Sequence, residues 1–191
     1  MKVSREQAAR NRDKVVEAAS RLFRARGVEG VGINEVMREC GLTHGGFYNQ
    51  FTSKQALAAE ACARSLANGV TRWRALADKS GPDDAASAIA ADYLSARNRD
   101  APERGCALLA LGPDAARQGG ELAAAFRKGF NDLTDIIETS SPDLSREDAL
   151  ARMAQMVGAM ILARGVADPI LSDEIMAATR KALMKSGDQP A

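Results

Sequence analysis

Gly41-Leu-Thr-His-Gly-Gly-Phe-Tyr-Asn-Gln-Phe-Thr-Ser-Lys54 decides the reading of this chain. It spells a turn, a short helix, and the start of a further helix whose unpaired amides suit a phosphate. Gly41 turns the chain, Leu42 plugs the joint, and Phe47 and Phe51 stand four residues apart, so that one side of the short helix is pinned inward. Upstream, Val15, Ala18, Ala19, Leu22 and Phe23 follow the spacing of a helix with one apolar face, which Gly27 ends. A second stripe follows at Ile33, Val36, Met37 and Cys40. Three such helices, with the last free on its outer side, have the layout of a helix-turn-helix that reads DNA.

The free side carries residues suited to a nucleic acid. Thr43 is placed to cap the short helix and to offer its hydroxyl to a phosphate. Gly45 and Gly46 each cost about 1 kcal/mol of helix propensity relative to alanine, which a close backbone approach to DNA explains. Tyr48 adds a phenolic donor, and Ser53 and Lys54 open a helix whose positive dipole end favours an anion. His44 reads either as a DNA contact or as a simply exposed side chain.

Residues 10–57 resemble the DNA-binding domain of the TetR/AcrR family of bacterial one-component transcriptional regulators. The resemblance rests on Gly27, on Gly41-Leu42-Thr43, on Phe47-Tyr48, on Phe51 and on Ser53-Lys54. It implies that Thr43, Tyr48 and Lys54 contact phosphates and that His44, Gly45 and Asn49 lie nearest the base edges of the major groove. Three positions depart from the family pattern. Gly32 replaces a capping Ser or Thr at a cost of only a few tenths of a kcal/mol. Gln50 stands where His or Tyr is common, with an amide still able to donate to a phosphate. Thr52 replaces a frequent Pro, loosening the approach to the next helix.

The composition agrees with a globular chain. Its 191 residues, 46% apolar, supply a real core. No apolar stretch approaches the roughly 18 residues of a membrane span, and charges occupy the place of a signal-peptide core, so the expected location is the cytoplasm and no membrane partner is expected. Cys40, Cys62 and Cys106 are too far apart for a metal-ligand spacing, and with a single His neither a metal nor another cofactor is expected. The net charge of +1 conceals an asymmetry: residues 1–54 hold ten Lys or Arg against six Asp or Glu, about +4, which leaves about −3 elsewhere. Arg5, Arg10 and Arg12 read as a basic N-terminal arm reaching for phosphates or a minor groove, or as a solvated tail.

Beyond Ser53 the sequence shows helical periods punctuated by Lys79-Ser-Gly-Pro82, Asp100-Ala-Pro102, Gly112-Pro113, Gly119-Gly120, Ser140-Ser-Pro142 and Asp168-Pro169. Helices are predicted near 54–78, 83–98, 104–117, 120–138, 145–164 and 171–185. The expected fold is all-α with about nine helices: a helix-turn-helix domain over 1–53 and a helical effector-binding and dimerisation domain over 54–191. For the dimer, Met153, Met156, Val157, Met160 and Ile161 form a broad apolar face in which Ala154 and Gly158 permit close approach, and Ile175, Ala178, Ala182 and Leu183 form a second stripe. The family pairs these two helices with a two-fold copy; the alternative is an intramolecular core. Two recognition elements about 34–36 Å apart read a palindromic operator.

A pocket lining is sought among Trp73, Tyr93, Phe126 and Phe130, with Leu76, Leu94, Leu108, Leu109 and Leu111 beside them, although each also suits ordinary core. Cys106 follows Arg104-Gly105 at a helix start, where dipole and cation favour thiolate, as an electrophile or oxidant sensor requires; the competing reading is a small buried turn residue. Asp83-Asp84 reads as a helix N-terminal charge pair. The leading expectation is a homodimeric repressor that leaves double-stranded operator DNA when a small-molecule effector binds. A small-molecule-binding helical enzyme is the rival class, but no nucleotide loop, metal cluster or nucleophile elbow supports it, and no catalytic residue is assigned. A nonspecific DNA-binding protein is the third reading, and the modest total charge opposes it.

Overall fold

In the computed structural model, residues 4–81, 84–140 and 144–185 are described. Among them are nine α-helices and no strand: α1 (Arg5–Arg26), α2 (Ile33–Glu39), α3 (Lys54–Ser80), α4 (Ala85–Tyr93), α5 (Ala96–Asp100), α6 (Ala107–Gln118), α7 (Gly120–Thr139), α8 (Arg146–Gly165) and α9 (Pro169–Lys185), with 3-10 turns at His44–Gly46 and Pro102–Arg104. Parts of the Lys79–Pro82 and Ser140–Pro142 signals, and Asp83 of the acidic pair, lie outside the described residues. No described helix is long and apolar enough to cross a membrane.

Local chemistry explains most boundaries. Ser4 caps α1 by accepting from the Gln7 amide at 3.1 Å, and Gly27 ends it at φ 72°, a conformation that L side chains resist. Ser145 and Asp148 form a reciprocal capping box at α8. Asp168 accepts from the Ile170 and Leu171 amides at 2.9 and 3.0 Å, so α9 begins at Pro169, two residues before the sequence-based start.

Three expectations are corrected. The helix over 83–98 is broken at Leu94, because Ser95 caps a separate α5 through the Asn98 amide at 3.3 Å. The helix predicted over 104–117 does run through Gly112-Pro113, but it starts three residues later, at Ala107, after a 3-10 turn at Pro102–Arg104. The arginines expected in an N-terminal arm are helical: Arg5, Arg10 and Arg12 all lie on α1, where Arg10 pairs with Glu6 and Arg12 with Glu60.

One buried cluster runs through the molecule, from Val15, Phe23, Met37 and Phe47 through Leu57 and Leu66 on α3 to Leu133, Met153 and Met160. The strut of the assembly is α3, which packs on α1, α4, α6 and α7. A buried hydroxyl pair, Ser20 and Ser65 at 2.6 Å, joins α1 to α3 inside this core. Burial of these two hydroxyls is tolerated because each partners the other.

Candidate nucleic-acid interface and effector cavity

The first site is assembled on the turn between α2 and α3. Phe47 and Phe51 are buried and stacked with centroids 5.4 Å apart, and the Arg12 guanidinium lies 4.6 Å from the Phe51 centroid. Arg12 is held there by Glu60, whose carboxylate accepts at 2.6 Å. This aromatic pin fixes a segment that is shorter than the sequence implied. The predicted recognition helix is a 3-10 turn followed by turn residues 47–50, closed by Gly46 to Thr43 and Phe47 to His44 amide-carbonyl bonds of 3.0 Å each. Two consecutive glycines and a Thr43 that makes no side-chain cap bond account for the loss of α-helix.

On its outer side the turn leaves Thr43, His44, Gly45, Tyr48 and Asn49 exposed together. Tyr48 is 61% exposed yet oriented, since its ring meets Phe47 edge-on at 5.1 Å and His44 at 5.6 Å. Ser53 caps α3 by accepting from the Ala56 amide at 3.0 Å, which leaves earlier amides of this 27-residue helix at its positive end. Lys54 differs from its neighbours: it is partly buried with Glu29 at 3.9 Å. Gln50 turns its amide back to the Gly46 carbonyl at 3.3 Å and so does not face outward as a phosphate donor. Several head cations are likewise neutralised, Arg21 by Glu39 and Arg26 by Glu35. Among the described residues, Arg38 on α2 is exposed without a carboxylate at ion-pair distance, a basic position the sequence reading did not single out.

The second site is a cavity of about 240 Å³ between α1, α3, α4 and the segment leading into α6. Trp73, Tyr93 and Cys106 line it, with Trp73 and Tyr93 edge to face at 5.9 Å. Phe126 and Phe130 are packed elsewhere against the core, Phe126 beside Gly112, and so do not line it. Leu76, Leu94, Leu108, Leu109 and Leu111 are core residues as well. Sequence reading placed Arg104 beside Cys106 but missed the rest of the polar side of the cavity: Arg24, Ser65, Arg72, Asp92 and Asn98. Its one visible signal is Ser20 and Arg24, four apart beside the apolar stripe of α1.

Cys106 stands at the N-cap of α6 without capping it through a side-chain bond. The amides of Leu108 and Leu109, the Tyr93 hydroxyl and Arg24 all favour its thiolate, but burial outweighs them and pushes the thiol above its usual range. The net direction accords with the reading of Cys106 as a small buried residue at the turn, against the local pull of helix start and cation. Cys62 is pushed up to about 12, again chiefly by burial.

Both halves are tied together near this cavity. Arg24 reaches the Glu103 carbonyl through Nε at 2.9 Å and Nη2 at 2.6 Å, and it donates to Ser20 at 2.7 Å and to Ser65. Asp114 on α6 is buried, accepts from the Val28 amide at 3.0 Å and pairs with Arg117 at 2.8 Å. A Cβ on Gly27 would stand 3.3 Å from the Asp114 carboxylate, so this joint is close-fitting.

The expected dimer face also needs correction. Met153, Met156, Met160 and Leu183 are buried within the protomer, and Val157 and Ile175 pack partly against the same core. Ile161 and Ala178 are exposed. The outer side of α8 is instead a second stripe through Leu150, Ala154, Gly158, Ile161, Leu162 and Gly165, and α9 adds exposed Ile170, Leu171 and Met184.

Residues 15–61 match the family model for bacterial regulatory proteins of the tetR family. An HTH-type transcriptional regulator of Staphylococcus aureus (strain bovine RF122 / ET3-1) is 30% identical over 90 residues, 47% of this chain. The match spans about half, 49%, of that relative's own length. In fold, the chain is similar to a TetR transcriptional regulator of Chloroflexus aurantiacus, with a TM-score of 0.78, 23% identity, and coverage of 94% of this chain and 97% of the other. It is also similar to the reduced form of Escherichia coli NemR, with a TM-score of 0.76, 19% identity, and coverage of 93% and 97%. The family match falls on the residues that build the aromatic pin and the exposed turn, so it is this helix-turn-helix segment that matches the TetR family of bacterial regulatory proteins.

Proposed function

We propose that this protein is a sequence-specific, homodimeric DNA-binding repressor released from a palindromic operator by a small molecule that occupies the Trp73–Cys106 cavity. The observation that carries the reading is the tract Thr43–Asn49: five exposed residues able to contact DNA, on a turn held rigid by buried Phe47 and Phe51. Thr43, Tyr48 and the first amides of α3 serve as phosphate contacts, with Lys54 adding charge from beside Glu29, while His44, Gly45 and Asn49 face the bases. The exposed outer stripes of α8 and α9 are the surface for the two-fold partner, since small residues at Ala154, Gly158 and Gly165 let backbones approach; a Cβ at either glycine would meet nothing within 4 Å inside the protomer.

Release works as a shift between two conformations, and its extent is set by how much better the effector binds the DNA-incompetent one. Arg24 and Asp114 provide the coupling, because one joins α1 to the segment before α6 and the other joins α6 to the turn after α1. An enzyme fits the geometry less well: the chain's one imidazole, His44, lies on the exposed turn, whereas the nucleophile candidate Cys106 lines the cavity as a thiol. A second reading, covalent sensing of an electrophile or oxidant, is favoured by one fact, that Cys106 does line the cavity. Under it, Cys106→Ser abolishes operator release by an electrophile; unchanged release rejects it.

The deciding experiment is fluorescence anisotropy of the purified protein with labelled DNA from its own upstream region, at fixed physiological salt, against a scrambled competitor. Binding that resists the competitor is the expected result. Binding lost equally to scrambled DNA would replace the repressor by a nonspecific DNA binder.

A further inference from the structure

The cavity has a chemical bias that its apolar lining alone does not suggest. Arg24 is a largely buried cation whose four hydrogen bonds all go to neutral acceptors, the two serine hydroxyls and the Glu103 carbonyl. Burial pulls the guanidinium below its usual range, and the carboxylates of Glu17 and Glu103, which lie near it without pairing with it, offset this only in part. Arg164 approaches the same segment from behind: its Nη2 donates to the Asn98 carbonyl at 2.5 Å, while its Nε is buried without a partner. Among the described residues neither guanidinium has a carboxylate at ion-pair distance. Arg104, also on the cavity wall, is exposed and has only its neighbour Glu103 at 3.9 Å. The single carboxylate of the wall, Asp92, is already taken by Arg72 and by Arg97 at 2.5 Å.

A second observation is independent of charge. The Tyr93 hydroxyl is buried, on a residue only 2% exposed, and the polar group facing it is the Cys106 sulfur, a weak acceptor that forms no hydrogen bond of normal geometry with it. A buried phenol without a good acceptor costs free energy that a ligand oxygen would restore. The backbone of Gly105 keeps this polar corner open to the Arg164 side, since a Cβ there would stand 2.6 Å from the Arg164 guanidinium. Trp73, Leu66 and Leu133 supply the apolar part of the wall.

We infer that the cavity takes a small organic anion with a flat apolar body, of the aromatic carboxylate class, its oxygens received by Arg24 and the Tyr93 hydroxyl and its ring lying against Trp73. The inference rests on the effector reading above and names the class of effector. Its energetic logic is that one anion supplies the missing counter-charge of Arg24 and the missing acceptor of Tyr93 in the same step. Because Arg24 belongs to α1, the ligand contacts the DNA-binding half directly, in competition with the Glu103 carbonyl that now holds it.

Trp73 is the only tryptophan of the chain and lines the cavity, so binding reports on itself. The test is a titration of the full chain with 4-nitrobenzoate, a fluorescence quencher, beside its neutral isostere 4-nitrobenzamide. The expected result is saturable quenching by the carboxylate with at least about tenfold weaker binding of the amide, as a charge-assisted bond predicts. Tyr93→Phe, which keeps the ring and removes the hydroxyl, weakens the carboxylate several-fold and leaves the amide nearly unchanged. Arg104→Gln, on an exposed position that cannot disturb the core, gives a smaller loss in the same direction. Equal affinity for acid and amide, or no saturable quenching by either, overturns the inference. The titration needs no DNA: failure to hold operator DNA defeats the regulator reading and leaves the anion result standing, whereas normal operator binding without carboxylate preference defeats the anion inference alone.

Discussion

The helices of the DNA-binding half and α8 are built from similar apolar residues, yet only the former have a single inside. In α1, buried Val15, Val16, Ala19 and Phe23 share one face while Asp13, Lys14, Glu17 and Arg26 face water. In α8, buried Ala149, Met153, Met156 and Met160 run along one side and Leu150, Ala154, Gly158 and Ile161 along another. A one-sided stripe identifies its own interior by periodicity; a helix that is apolar on two sides does not say which side meets its own core. That difference is why the pin of the turn could be located from the sequence, whereas most residues expected at a dimer face follow the alternative of an intramolecular core.

The largest effects should come from the two interiors, which ought to respond alike. Phe47→Ala in the head should lower unfolding free energy by about 3–5 kcal/mol and Met153→Ala on the inner stripe of α8 by about 2–5 kcal/mol, both read by urea denaturation. A Met153→Ala protein of normal stability but altered assembly would reverse the inner and outer assignment. Next, Ile161→Glu combined with Leu162→Glu should weaken self-association by at least about tenfold in sedimentation, because an unpaired carboxylate cannot be buried cheaply, while far-UV circular dichroism stays unchanged. Retained dimers would place the partner elsewhere. Tyr48→Ala should cost about tenfold in affinity for specific and random DNA alike, with the urea midpoint unmoved, as befits an exposed ring. The smallest contrast lies between two helix starts: Ser53→Ala should cost about 1 kcal/mol of stability through its lost cap, and Thr43→Ala less than about 0.5 kcal/mol, its effect confined to DNA affinity.

How legible each part was follows from the range of the interaction that fixes it. Gly27, Ser53, Phe47 and Phe51 are set by neighbours within a helical turn, and their roles could be read in the sequence. Thr43 looks equally local, but Gly45 and Gly46 shorten the segment to a 3-10 turn and leave its hydroxyl without a cap to make. The cavity was visible only by half. Trp73, Tyr93 and Cys106 stand out as residue types, whereas Arg24 becomes a cavity residue only because Ser65, 41 positions away, and Glu103, 79 positions away, converge on it. The environment of Cys106 divides in the same way: helix start and nearby cation are local and legible, but the burial that outweighs them is tertiary.

The Asp114–Val28 joint has a consequence for anyone who would exchange recognition heads between regulators. A cut at residues 53 and 54 looks natural on paper, since it falls at the cap of α3. Yet it would hand the foreign head a carboxylate waiting for an amide in one particular register, and a Ser65 hydroxyl waiting for Ser20. A functional chimera should therefore carry its own α6 segment around Asp114 along with its head, so that the transplanted unit is defined by a mating surface and not by a stretch of sequence.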